Sequence, residues 1–356
     1  MTATVRDYMF GMVGRPQSAA GLLLLIIPVA LVLAAALLGP YPSLLRGWLL
    51  GFAVWSCAPI GSMALLLIHR LTGGRWGVAI SPVVRPLAAM MPLVAIAFLP
   101  VLAGLPHIYP WAADPSQIKP DVARWYLSEP LFVVRSLIAL VGWSVLGVVF
   151  AAGAGGRLMA ALGLAFFGLT ISLVAVDWYL SLEPRYVATA FAAMVAIQQL
   201  LVALAVAGLL GSSELEGKVA GDIGGLLIAT LLGVVYLDYM TYVVAWYGDL
   251  PDKAEWFLKR STTPWTVTLV VLFALGAVLP FAMLLIKSVR TSRIGLRIAS
   301  LLILIGTALH FGWLLVPAFA VQRSVIATGV VALAVLTAAS ILIARDAAAA
   351  EARHAE

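Results

Sequence analysis

The chain has 356 residues, 63% of them hydrophobic and only 11% charged, with a net charge of +6 and a mean hydropathy of +1.07. A typical soluble domain is about a quarter charged, and a soluble protein of this size could not hide so much apolar surface from water. Soluble globular, disordered and fibrous classes are therefore excluded, and the expected fold class is an all-α polytopic membrane protein. The lone cysteine, Cys57, also excludes an internal disulfide, a Cys-rich zinc site and an iron–sulfur cluster ligated by this chain alone.

Crossing the hydrocarbon core takes about 20 mostly apolar residues. In chain order such runs fall at 20–39, 47–69, 83–104, 130–152, 158–178, 187–211, 221–247, 266–287, 296–316 and 324–344. Their length and their Leu/Ala richness predict helices, and the period-2 alternation of a membrane barrel is missing. The first run is too long for a signal peptide and lacks a small-residue cleavage site, so it is expected to stay as a helix. The chain reads as one integral membrane domain over 1–356, ending in a short Ala-rich cytoplasmic tail at 345–356. Two polar connections, 105–129 and 248–265, hold Pro, Trp and Tyr and predict ordered caps or docking surface.

Basic residues set orientation in a membrane protein, so the positive charge is read as topology and not as nucleic-acid binding. Lys and Arg number 13 on the side of the termini and 8 on the other side. Both termini are thus expected in the cytoplasm. The cluster Lys287, Arg290, Arg293 and Arg297 contributes most.

A charged group at membrane depth costs a few kcal/mol, which makes it a functional candidate. Arg135 lies inside the fourth run and Asp177 at the outer end of the fifth. Asp238 precedes Tyr247 by nine residues, about 13 Å of helix. His310 lies roughly two turns below the outer end of the ninth run. All four fall in the outer half of the bilayer. Tyr236, Tyr239, Tyr242 and Trp246 accompany Asp238: Tyr242 is four residues from it, and Tyr239, Tyr242 and Trp246 follow one another at 3–4 spacing and make a stripe. An acid, a base and phenols in one layer have the chemistry to relay protons or to hold a quinone headgroup. Blander roles stand beside these. Arg135 with Asp177 can be a structural ion pair, Trp246 and Tyr247 an interfacial belt, and His310 a satisfied core histidine. Gln198 and Gln199 mark the middle of the sixth run. Haem b needs two histidines at matching depth. His69, His107, His310 and His354 offer no such pair, and no metal site is predicted.

Three segments carry more than composition. They are Leu71-Thr72-Gly73-Gly74-Arg75-Trp76-Gly77, Asp177-Trp178-Tyr179-Leu180-Ser181-Leu182-Glu183-Pro184-Arg185-Tyr186, and Trp246-Tyr247-Gly248-Asp249-Leu250-Pro251 followed by Trp256 and Arg260. In order and spacing, over roughly 45–320, the chain resembles the ActF membrane subunit of alternative complex III, a bacterial quinol:cytochrome c oxidoreductase. That subunit is related to the polysulfide-reductase (NrfD-like) membrane subunits. It departs from the pattern at Thr241, Gly248 and Asp249, where Gln, Ala and Asn are expected, and it is shorter than typical members. Glycines after the second run can equally be a helix-ending turn, and Glu183-Pro184 a helix start.

The resemblance implies ten helices, arranged as two four-helix bundles plus a peripheral pair, in the bacterial inner membrane. It implies partners: an ActC-like membrane subunit, iron–sulfur and cytochrome c subunits, and in a variant assembly a haem–copper oxidase. Haem c and iron–sulfur clusters would sit in those partners, and this chain would hold no covalent cofactor and at most a quinone or quinol. Trp76, Trp178, Glu183, Arg185, Trp246 and Asp249 match family positions. The function so implied is a respiratory electron-transfer subunit that offers a quinone-facing surface, a proton path or both. Two other classes are weighed against it. A secondary transporter is expected to show internal repeats and broken helices, and a purely structural anchor would dock redox subunits through 105–129 and 248–265.

Overall fold

The computed structural model describes residues 41–211, 215–249 and 251–355; side chains of Asp252 and of 345–355 fall outside that description, as does the expected span at 20–39. Among the described residues the chain is all-α and polytopic. Eight helices are long and apolar enough to cross a membrane, and a bent pair makes a ninth. These nine match the expected runs from 47–69 onward.

In order, α1 spans Tyr41–Thr72, α2 Arg75–Ala89 and α3 Met91–Ala103. Short helical turns then cover 105–125, before α4 at Glu129–Ala151 and α5 at Arg157–Trp178. Next come α6 at Phe191–Leu210, α7 at Gly217–Gly248 and a short α8 at Pro251–Lys259. A π-helical turn, Ala274–Val278, joins α9 (Thr263–Phe273) to α10 (Leu279–Leu285) in one span. Finally α11 spans Arg293–Leu315 and α12 Gln322–Ala355, so the expected tail at 345–356 continues the last helix through Ala355.

Helix ends follow local chemistry. α1 stops where Gly73 enters the left-handed region at φ 69°, with its N–H donating to the His69 carbonyl at 2.8 Å, as glycine after a helix does. Pro92 at the start of α3 lacks an N–H, and α2 and α3 meet at a 42° bend around Met90. Asp249 closes α7 at φ 42°, a left-handed position that Asp and Asn tolerate better than other side chains.

α1 is the centre of the molecule: 83% of its apolar window is buried, against 17% for the α9–α10 span. Its Gly47 and Gly51 face Thr328 and Gly329 of α12 so closely that a Cβ would collide. Such small-residue contacts let backbones approach, which matters where lipid supplies no hydrophobic drive between helices. The two helices run parallel, because Thr328 donates to the Ser43 carbonyl (3.0 Å) and the Trp55 indole to Ser340 (2.9 Å). Further along α1, Gly61 lies against the Gln199 carbonyl of α6.

One face of the bundle gathers residues 104–128, 179–190 and 251–262; we call it the cap face. The opposite, or turn, face carries the tight α1–α2 and α4–α5 connections and the ends of α6 and α7. Trp178 fastens the cap to the core. It stacks on Phe98 at 4.1 Å and donates to Ser136 at 2.9 Å. Its carbonyl accepts from Tyr109 at 3.0 Å, and Trp111 donates to Ser181 at 3.1 Å. Buried indoles and phenols need such partners.

Candidate functional site

The four charged residues expected at membrane depth fall into two pairs. In the first, Arg135 of α4 grips Asp177 of α5 with two charge-assisted bonds, Nε to Oδ2 at 2.7 Å and Nη2 to Oδ1 at 2.9 Å. Nη2 also donates to the Tyr126 carbonyl at 3.0 Å, and the guanidinium lies 4.3 Å from the Tyr126 ring centre. Asp177 is fully buried. Nε and Nη2 are both spent on neighbours, and neither residue lines the large cleft described next. This geometry suits a fixed fastener between α4, α5 and the cap.

The second pair joins α7 to α11. His310 Nε2 lies 3.3 Å from Asp238 Oδ2, and the pair is ionic when the imidazole is protonated. It sits in the wall of a cleft of about 920 Å³ between α6, α7, α9 and α11, a volume in the range of small-molecule sites. His310 is buried, whereas the Asp238 side chain is 37% exposed toward the cleft. Tyr239, Tyr242 and Trp246 continue the α7 wall, and Phe273 stands on the α9 wall. These four are 62%, 47%, 67% and 50% exposed. The cleft is therefore open sideways, where a membrane would present lipid.

Deeper in the cleft, Gln198 of α6 donates to Thr307 of α11 at 2.9 Å, while its carbonyl oxygen is buried without a partner. Thr307 is one helical turn from His310, so the two share a face of α11. The floor also contains Gly276 and Gly306, whose backbones touch: a Cβ on Gly276 would stand 2.5 Å from the Gly306 Cα. The π turn around Gly276 brings α9 onto α11 at this point. An orphaned acceptor, an acid–base pair and an aromatic rim make a site that can hold a flat polar headgroup and pass a proton to its edge.

Nearer the cap face stands a network whose centre the sequence reading did not recognise. Arg260 is 2% exposed. It donates to Glu183 at 2.6 Å and to the carbonyls of Trp256, Trp313 and Leu314 at 2.9, 3.2 and 2.7 Å. Its guanidinium lies 3.6 Å from the centre of a Trp256 ring, which stacks on Tyr186 at 4.3 Å. Lys259 adds a second cation to Glu183 at 3.1 Å. Burial lowers the Arg260 pKa, and Glu183 offsets part of that; burial raises that of Tyr186. The available signal was an acid and a cation on two connections of the same face. Arg185, by contrast, is exposed, and Trp76 packs edge-on against His69 at 5.2 Å.

Among the described residues, no three His, Cys, Asp or Glu side chains converge as metal ligands. Cys57 is buried and donates back to the Ala53 carbonyl. No model of a known protein family matches the chain, and no curated protein sequence matches it.

Proposed function

We propose that this chain is an integral membrane subunit of a quinol-oxidising respiratory complex of the alternative complex III type, and that its cleft is a quinone-facing surface with a proton exit. The observation that carries this reading is the Asp238–His310 pair in the wall of a cleft open toward lipid. A quinone is apolar with two carbonyl oxygens, so it would enter from the lipid side between Tyr239, Tyr242 and Phe273. His310 and the phenols offer donors to such oxygens. Quinol oxidation supplies protons as well as electrons, and Asp238 would accept one and hand it to His310, 3.3 Å away. Electrons would leave through haem c and iron–sulfur clusters of partner subunits, alongside an ActC-like membrane subunit. The bacterial inner membrane, with both termini cytoplasmic, is the location in keeping with the basic-residue bias.

The test is quinol oxidation and proton release by membranes carrying Asp238→Asn or His310→Ala. Each is expected to lose about a hundredfold in rate, the low end of what a positioned proton-transfer group contributes. Full quinol oxidation and proton release in both variants would leave the chain a structural anchor, the role its cap network also fits.

A further inference from the structure

A second cavity, of about 570 Å³, opens on the turn face where the α1–α2 and α4–α5 connections meet. Its polar lining is cationic. Arg70, Arg85, Arg157 and His69 border it, and no carboxylate does. Within the described residues none of these three arginines joins a salt bridge. His69 is committed to the turn itself, with Nε2 3.1 Å from the Gly74 carbonyl. Among the described residues the three guanidiniums are thus gathered without a counter-charge.

Helix electrostatics sharpen the imbalance. A cation at a helix C-terminus is favourable, so Arg70, near the end of α1, is in a tolerable place. Arg157 is not: it is the first residue of α5, and that helix start has no side-chain cap. A cation there meets the positive end of the dipole and unsatisfied backbone N–H groups, a combination that an anion would relieve.

The rest of the surroundings indicate which anion. Leu66 and Phe150 form the apolar part of the lining. From Arg157, the exposed Leu158 and Leu162, at 75% and 62%, continue down the outside of α5. A charged mouth above an apolar track fits an amphiphile better than a free ion. Basic pockets between spans on the cytoplasmic side are the usual seat of anionic headgroups, and the lysine and arginine excess assigns the turn face to that side.

We infer that this cavity binds the phosphate of an anionic membrane lipid, held by Arg70, Arg85 and Arg157, with its acyl chains along Leu158 and Leu162. The site lies on the opposite face from the cap network and does not depend on the quinone reading. It also gives the Thr72–Gly77 segment a purpose, because Gly73 and Gly153, both left-handed at φ 69° and 73°, shape the two turns that frame the mouth.

The full chain, purified and incubated with phosphatidylcholine vesicles containing a minority of phosphatidylglycerol, would be examined by native mass spectrometry for retained lipid. Phosphatidylglycerol should be enriched over phosphatidylcholine on the wild type. Each of Arg70→Gln, Arg85→Gln and Arg157→Gln should reduce that enrichment about fivefold, and the triple variant should abolish it. Lys287→Gln, a basic residue outside the cavity, should not change it. Equal enrichment in the wild type and in the single variants would overturn the proposal, whether or not the triple variant folds. Displacement of the lipid by inorganic phosphate would overturn it in favour of a free-anion site. Enrichment seen only after deletion of 345–356 would overturn it in favour of a cavity filled by the carboxylates of that segment.

Discussion

Arg135 and Arg260 show what a buried guanidinium requires. Each is matched by a carboxylate and by backbone carbonyls, and each leans on an aromatic ring. Removing one partner strands the other charge, which costs about 3–5 kcal/mol, while replacing both by apolar groups is often close to neutral. Arg135→Met should therefore destabilise the purified protein by about that much, and Arg135→Met with Asp177→Leu by clearly less. Thermal unfolding in detergent measures both; a double variant as weak as the single one would show that the pair does more than neutralise itself. Arg260→Lys should also fail, by about 2 kcal/mol or more, because an ammonium cannot replace a planar fork that reaches Glu183 and three carbonyls. At this scale the sequence was partly legible. Depth alone marked Arg135, Asp177, Asp238 and His310, since a charge inside an apolar run stands out. The Arg135–Asp177 ion pair was already legible as one reading, since the two stand on consecutive spans; the direct contact of Asp238 with His310 was not legible, because their spans are not consecutive and the residues are far apart in sequence. Arg260 was noted only as part of the third segment, and its burial against Glu183 was not legible because it lies in a polar connection, where a charge draws no attention until the fold buries it.

Helices are where the sequence spoke most clearly, and the reason is the bilayer. Every backbone group must be satisfied within its own segment, so a span is a long apolar run and its ends are nearly marked by composition. What composition could not show is the π turn of α9–α10 or the contact of Gly276 with Gly306, since neither glycine differs in sequence from the solitary Gly168, around which a Cβ would meet nothing. The difference can be measured. Gly306→Val should force α9 from α11, at about 1–3 kcal/mol of overpacking, and should weaken binding of a quinone analogue in the cleft they wall. Gly168→Ala should be neutral or stabilising by up to about 1 kcal/mol, because alanine is the better helix former where space allows. Melting curves and analogue titrations on the two variants check the pair of expectations. If Gly306→Val bound the analogue as tightly as the wild type, the close crossing would not shape the cleft.

For the whole molecule, direction across the membrane decides the meaning of both cavities. The Asp238–His310 cleft reaches toward the cap face, and the arginine cavity opens on the turn face. A proton released at the first is useful to a respiratory complex only if the cap faces away from the cytoplasm, and an anionic headgroup meets the second most readily if the turns face the cytoplasm. Basic residues favour that single orientation, at 13 against 8. The chain's one cysteine makes the matter testable. Cys57 is buried, and its replacement by alanine removes one sulfur from a packed site, leaving a background free of thiols. On that background Ser116→Cys places a thiol on the exposed cap, and Ala154→Cys places one on the exposed α4–α5 turn. In intact cells a membrane-impermeant maleimide should label position 116 and spare position 154 until the membrane is opened. The reverse pattern would turn the protein over, place the cleft's proton exit on the cytoplasmic side and put the arginine cavity against the outer leaflet. The respiratory reading and the lipid site would then each need a different explanation, because both rest their directional meaning on this one axis.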